Sequence, residues 1–289
     1  MHDGGDRARF DTAAKPNWCL GCGNFGILSG LRKALLKLEL EPHQVVMATG
    51  IGCSSKIPHW INVYGLHGLH GRPLPVAMGL KLANHNMVVI AEGGDGDGYS
   101  EGLNHFIQAA RRNVDLTYIV HNNGVFALTT GQTSSTGRPG FVSSSTPHGS
   151  VEPPFRPAAL AIVGGANFVA RGFSGDIEHL AELIAAAIKH PGFALVDVLQ
   201  VCVSFNPQRG YKWYQQRVYK LEDEHHDPTD RDRALALALD DDEQRLATGI
   251  FYRGTRPPYE RSLPQLEQAP LVDHDIDNID VSVLMEELI

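Results

Sequence analysis

The run Gly93-Gly94-Asp95-Gly96-Asp97-Gly98, taken with Asn122-Asn123-Gly124-Val125 downstream, has the residue types of a metal-diphosphate cradle. A carboxylate oxygen from Asp95, an amide oxygen from Asn123 and a loop carbonyl form a hard ligand set suited to Mg2+, which keeps its other octahedral positions for phosphate oxygens and water. Glycines let the backbone approach a ligand closely, and the first N–H groups of a following helix attract the same phosphates. For the glycines alone, a tight turn with nothing bound is the alternative. Other phosphate motifs fit less well. The dinucleotide fingerprint needs G-x-G-x-x-G and an acidic end to the second strand, whereas here the glycines run G-x-G-x-G and that strand ends in His121-Asn122-Asn123. No G-x-x-x-x-G-K-[ST] occurs.

The four cysteines are the second chemical signal. Cys19 and Cys22 form a C-x-x-C pair, Cys53 ends the loop Gly50-Ile51-Gly52-Cys53, and Cys202 follows the strand-like run from Phe193 to Leu199. All four can meet at one end of a sheet and hold a cubane cluster. Zinc is the structural alternative, although tetrathiolate zinc modules usually bring two local pairs; unligated core thiols are the third reading. Between Lys56 and Arg72, His67 and His70 are candidate proton carriers or polar loop residues bonded to backbone. Lys56 and Arg72 are candidates to neutralise a substrate carboxylate, or plain surface cations.

The elements that must position these groups read as an alternating α/β pattern. Met87–Ala91 is a buried strand, residues 99 to 112 a helix with Leu103, Phe106, Ile107 and Ala110 on one face, and Leu116–Val120 the next strand. Such crossovers are right-handed, so Asp95 and Asn123 are expected at the carboxyl ends of adjacent parallel strands. Asn24 is expected to cap a helix running to Leu40, Val45–Thr49 to be a strand, and residues 56–72 a loop. Helices are expected over 74–83, 157–164 and 175–190, with a long functional loop over 133–157. The whole predicts a doubly wound, mostly parallel sheet over residues 1–207, with 1–16 extended, and a C-terminal extension over 208–289. In the extension an amphipathic helix is expected over 211–219, followed by a charged stretch and an aperiodic tail. Anchors such as Phe251, Tyr252, Tyr259, Leu284 and Leu288 could lie across a partner.

A net charge of −8 with scattered Lys and Arg argues against a nucleic-acid binder. There is no run of eighteen apolar residues, and Met1–Arg7 lacks the apolar core of a signal peptide, so a soluble cytoplasmic protein without membrane contact is expected.

The order GDGDG, helix, strand, NNG resembles the diphosphate-binding motif of thiamine diphosphate enzymes. Trp18-Cys19-Leu20-Gly21-Cys22-Gly23-Asn24, then Gly50-Ile51-Gly52-Cys53-Ser54-Ser55, then Leu69-His70-Gly71-Arg72-Pro73-Leu74-Pro75 are similar to the β subunit of 2-oxoacid:ferredoxin oxidoreductases, over residues 17–207. GIGCSSKIP and GLHGLHGRPLP resemble the 2-oxoglutarate branch. The resemblance implies thiamine diphosphate, Mg2+ on Asp95, Asn123 and the Val125 carbonyl, and one 4Fe-4S cluster on Cys19, Cys22, Cys53 and Cys202. It places Ile51, Gly52, Cys53, Ser54, His70, Gly71, Gly94, Gly96, Asp97, Ala127, Leu128 and Thr129 around the cofactor. Thr130 stands where some members carry Lys, which leaves pyruvate and branched-chain 2-oxoacids open. The implied reaction oxidises a 2-oxoacid with ferredoxin as electron acceptor and coenzyme A as acyl acceptor. The implied partner is an α subunit whose pyrimidine domain supplies the activating glutamate, so the chain alone is expected to be inactive. A non-redox thiamine enzyme and a zinc-thiolate interaction protein are the competing readings.

Overall fold

The computed structural model describes residues 8–240, 242–275, 277 and 281–287. Met1–Arg7 and the tail anchor Leu288 lie outside the described residues. Helix α1 (Asn24–Lys37) leads to β1 (Val45–Thr49) and β2 (Tyr64–His67). Helix α2 (Pro73–Ala83), β3 (Val88–Gly94), α3 (Leu103–Arg112) and β4 (Thr117–Asn122) then form the expected β-α-β core. A small hairpin, β5 (Val125–Phe126) with β6 (Gln132–Thr133), opens the long loop. Helix α4 (Pro157–Gly164), β7 (Phe168–Phe173), α5 (Ile177–Lys189) and β8 (Ala194–Leu199) follow. The chain continues through α6 (Tyr211–Gln215), β9 (Val218–Lys220), α7 (Arg231–Leu239) and β10 (Leu246–Arg253).

One eight-stranded sheet runs β2-β1-β3-β4-β8-β7-β10-β9, parallel except where β10 meets β7. Side chains alternate across it. Val89, Ala91, Tyr118 and Val120 face the core under α2, α3, α4 and α7, and Ile90, Ile119, Val196 and Val198 face the core under α1 and α5. Both faces are thus covered, which is why the central strands read as continuous apolar runs. Helices α1 and α5 pack closely because Gly26 carries no Cβ to overlap the Ser174 carbonyl. Among the described residues no helix is long and apolar enough to cross a membrane.

Several expectations need correction. Asn24 does not cap α1: Gly23 holds that position without a side-chain cap, since a Cβ there would press on Ser174 Oγ and the Val201 amide, and α1 ends at Lys37 rather than Leu40. Residues 56–72 are not all loop. A 3-10 turn spans Ser54–His59, and β2 pairs in parallel with β1 as an exposed edge. Its Gly and His content hides it, because pairing with a ready-made neighbour outweighs weak intrinsic preference. The helix expected over 211–219 stops at Gln215: the Arg217 carbonyl accepts from Leu246 N at 2.8 Å, which starts the pairing of β9 with β10. Arg209 and Arg217 sit on the Trp213 ring, 4.8 and 4.5 Å from its centroid. Residues 8–10 form a 3-10 turn that buries Phe10.

The helix expected over residues 99–112 is preceded by a π-turn, Gly96–Glu101, closed by Gly102 N–H donating to the Asp97 carbonyl at 2.9 Å. Wide turns of this kind recur at functional sites. Here the turn lets Gly98 pass over the buried Tyr118, where a Cβ would overlap the phenol oxygen. Gly98→Ala is expected to destabilise the fold by about 1–3 kcal/mol or more. Adding Tyr118→Phe should recover part of the loss; equal melting temperatures for Gly98→Ala and the unaltered chain would contradict this packing.

Candidate active site

At the carboxyl end of the sheet the loops after β1, β2, β3 and β4 line an open cleft. Gly94 and His121 pair in register, so Asp95 and Asn123 leave adjacent strands side by side as the β-α-β pattern requires. The walls bring together Ile51, Gly52, Cys53, Ser54, His70, Gly94, Asp95, Gly96, Asp97, Asn123, Val125, Ala127, Leu128 and Thr129. Gly71 and Lys56 are not in the lining. Gly71 N–H donates to Asp97 Oδ1 at 2.8 Å, and Lys56 sits in the turn after Cys53.

Asp95 is buried, and its Oδ2 accepts from Gly124 N–H at 3.0 Å, Thr136 Oγ1 at 2.5 Å and Ser134 Oγ. Oδ1 carries none of these bonds. Burial pushes the carboxyl above its usual range, and the hydroxyl and amide donors oppose that. Asn123 Oδ1 accepts from Val125 N–H at 3.0 Å, which fixes the orientation of its amide. Asp97 has a different role from a cofactor contact alone. Its Oδ1 gathers Ile51 N–H at 2.9 Å, Gly71 N–H and His70 Nδ1 at 3.0 Å, fastening the loops after β1 and β2 to the cradle. Gly50 and Gly93 make room for that carboxylate.

Ser54 Oγ is buried in the cleft wall with no hydrogen-bond partner, an orphaned polar atom that a ligand would satisfy. Together with the glycine floor and the Asp95 carboxylate, it fits a metal-diphosphate cofactor. His70 lines the cleft beside Phe126, whereas His67 pairs with His59 at 3.2 Å on the edge strand, outside the lining. Burial, then the neighbouring His59, pushes His67 below its usual range. Arg72 meets His105 at 2.7 Å and also lies outside the lining.

The thiols come from three elements to one place. Cys19 is exposed, Cys22 and Cys202 are buried, and Cys53 is half-buried. They lie close enough for their charges to act on Cys22 and Cys53, Cys22 feeling all the other three and Cys53 feeling Cys202 and Cys19. No group of three His, Cys, Asp or Glu among the described residues stands ready in metal-binding geometry, so the thiols neighbour one another without forming a closed set. Burial first, then these neighbours, pushes the Cys22 thiol up to about 11. A cationic cluster would relieve that repulsion, so the donors fit one.

Several residues here carry little or no signal in the sequence. Asn24 and His121 also line the cleft, joined at 2.8 Å, and His121 Nε2 meets the fully buried Glu92, whose carboxyl burial pushes up. Ser134 and Thr136 hold Asp95 from a Ser/Thr-rich loop in which spacing singles out no member. Gln200 was likewise unmarked. Its place between strand end and Cys202 was the only available signal. A larger cleft beyond Gly124 is lined by Arg138, Arg171, Arg209 and Arg245, which pair with Glu243, Asp197, Glu243 and Glu224 respectively.

Residues 43–198 match the family model for the thiamine pyrophosphate enzyme C-terminal TPP binding domain, and residues 202–268 match the model for the C terminal of the pyruvate ferredoxin oxidoreductase beta chain. The chain is 43% identical over 277 residues to the 2-oxoacid:ferredoxin oxidoreductase 1 subunit beta of Aeropyrum pernix, covering 92% of this chain and 87% of that one. The chain belongs to the 2-oxoacid:ferredoxin oxidoreductase β subunits. A second relative, the 2-oxoacid:ferredoxin oxidoreductase subunit beta of Saccharolobus solfataricus, is 51% identical over 210 residues, 72% of this chain and 69% of its own. In structure this β subunit is similar to the 2-oxoglutarate:ferredoxin oxidoreductase from Magnetococcus marinus, with a TM-score of 0.90 and 34% identity over 97% of this chain and 95% of that one. That structure holds 2-oxoglutarate, coenzyme A and succinyl-CoA. An oxidoreductase β subunit with a thiamine diphosphate-binding domain and an α partner accounts for the cleft, the glycine floor and the fold.

For the β subunit without metal, the raised Cys22 value has a signed consequence. Between pH 9 and 11 the folded chain keeps a proton that the unfolded chain releases, so stability falls as pH rises through that window, by about 2–3 kcal/mol. Alkylation of Cys22 in the apo protein should reach half its limiting rate near pH 11. A midpoint near pH 9 would contradict the burial argument.

Proposed function

We propose that this β subunit, with its α partner, catalyses coenzyme A-dependent oxidative decarboxylation of 2-oxoglutarate to succinyl-CoA, passing electrons through one 4Fe-4S cluster to ferredoxin. The carrying observation is that Cys53 belongs both to the cleft wall and to the thiol group, so cofactor and cluster share one loop. Asp95 Oδ1, Asn123 Oδ1 and the Val125 carbonyl hold Mg2+, and the glycines from 94 to 96 admit the diphosphate. Bound thiamine diphosphate supplies the electron sink for decarboxylation. Ser54 Oγ and His70 face that cofactor, and Asp97 holds His70 in place from behind. Lys56, one turn past Cys53 and outside the cleft lining, is the cation assigned to the substrate's second carboxylate. Cys19, Cys22, Cys53 and Cys202 ligate the cluster, whose positive charge offsets the repulsion among them. The α subunit supplies the glutamate that activates the aminopyrimidine; within 208–289, β9 and β10 complete the sheet and Phe251 is buried in its core, and the exposed Leu271, Val272, Leu284 and Met285 support partner contact by the last part of the extension. The complex works in the cytoplasm.

The 2-oxoglutarate preference rests on the ligands of the Magnetococcus marinus structure and on the chain's likeness to it. The test is the visible spectrum of the anaerobically purified complex with Mg2+ and thiamine diphosphate. Addition of 2-oxoglutarate, then coenzyme A, should bleach the broad cluster absorption more than pyruvate does. A colourless protein containing zinc would overturn the redox reading, and stronger bleaching by pyruvate would overturn the substrate.

A further inference from the structure

We propose that Gln200 ties occupancy of the metal-diphosphate site to the reduction potential of the cluster. The inference rests on the cofactor and cluster assignments above. Asn123 Nδ2 donates to Gln200 Oε1 at 2.6 Å, and Gln200 Nε2 donates to Cys22 Sγ at 3.3 Å and to the Val201 carbonyl at 2.8 Å. One buried side chain, 2% exposed, therefore spans from a metal-binding amide to a cluster thiolate.

The direction of each amide in this chain follows from backbone groups whose roles are fixed. Val125 N–H can only donate, so the Asn123 atom it meets is the oxygen and the other atom is the N–H2 that faces Gln200. Gln200 must then present its oxygen to Asn123 and its N–H2 to the Val201 carbonyl, which can only accept. The second N–H is left for Cys22. Reversing the amide would set N–H2 against N–H2 and oxygen against oxygen in a buried site. The backbone holds the span as well: Gln200 N–H donates to the Asn122 carbonyl at 2.9 Å, and Gly23, beside Cys22, has no Cβ to crowd the Gln200 chain.

An N–H···S bond stabilises the extra negative charge of a reduced cluster, so it raises the potential. A cation on Asn123 Oδ1 polarises that amide, strengthens its N–H toward Gln200 and, through Gln200, the bond to the thiolate. Loading Mg2+ and thiamine diphosphate should thus make the cluster easier to reduce just when a substrate-derived electron can be delivered. Ser204 Oγ also donates to a cluster thiol, Cys19 at 3.1 Å, but has no such bond to the metal site.

The test is an EPR-monitored potentiometric titration of the complex, with and without Mg2+ and thiamine diphosphate, after iron and sulfide are quantified. Gln200→Met should shift the reduced-to-oxidised ratio at fixed potential about tenfold toward oxidised, which is 59 mV for one electron, and abolish the response to the cofactor. Gln200→Glu, nearly the same in shape, should shift it further the same way, also without response. Ser204→Ala should lower the potential yet keep the response. Equal potentials in Gln200→Met and the unaltered complex, or a cofactor response that survives in Gln200→Met, overturns the proposal alone. An unaltered complex without iron overturns it together with the cluster assignment.

Discussion

Asp95→Asn is expected to remove thiamine diphosphate binding while leaving the cofactor-free fold intact. The carboxylate sits buried with three donors on one oxygen and is pushed toward its neutral form by desolvation. At neutral pH the empty site therefore carries the cost of an unneutralised buried charge, which a divalent cation offsets. Asparagine removes that cost together with the charge that attracts the metal. Loss of an outer hydrogen-bond partner of a metal ligand weakens binding roughly 10–100-fold, so loss of the ligand should exceed 100-fold. Ser134→Ala should fall within the smaller range. In thermal melts, cofactor at about 100 times its dissociation constant adds about 2.7 kcal/mol to the unaltered complex and nothing to Asp95→Asn, whose cofactor-free melting temperature should be no lower. Binding of Mg2+ and thiamine diphosphate by Asp95→Asn within threefold of the unaltered affinity would remove Asp95 from the ligand set.

The parts of this site that were legible in sequence are those that a single segment specifies. The run Val88–Gly94, its glycines and Asp95 lie in one stretch, and a crossover of fixed hand places Asn123 beside them. The meeting of the cysteines was legible for a similar reason, since Cys53 follows β1 and Cys202 follows β8, whose carboxyl ends share one edge of the sheet. What was not legible depends on contacts between distant segments. Asn24 has the residue type of a helix cap, but Ser174 and the residues just after β8 crowd Gly23, and the Asn24 side chain turns to His121 instead. β2 gains from pairing with β1 what its own sequence lacks in strand character. Asp97 has the same residue type and spacing as a metal ligand, and only its bonds to Ile51, Gly71 and His70 reveal a fastening role. Gln200 could be recognised only once the Cys22 thiol and the Asn123 amide stood on either side of it.

Cys53→Ala is expected to produce the converse loss. The loop that carries Cys53 is held by the Trp18 indole, whose Nε1 donates to the Cys53 carbonyl at 2.7 Å, and by Ile51 N–H on Asp97, and neither bond uses the thiol. The loop should therefore keep its shape when the sulfur is removed, and Ser54 should stay in the cleft wall. Three thiols cannot complete a four-cysteine ligand set, and the one lost is the one shared with the cofactor cleft. The complex should lose its broad visible absorption and its bound iron, and reduction of ferredoxin should fall at least about 1,000-fold, since in the proposed function electrons leave the cleft through the cluster. Thiamine diphosphate affinity should change by less than about threefold, because Asp95, Asn123 and the glycine floor are untouched. Asp95→Asn and Cys53→Ala thus separate the two halves of the site, one keeping the colour without the cofactor and the other the cofactor without the colour. Retention of iron and of ferredoxin reduction in Cys53→Ala would sink the assignment of Cys53 to the cluster, and loss of cofactor affinity beyond tenfold would show that the thiol, rather than the Trp18 bond, sets the shape of the loop.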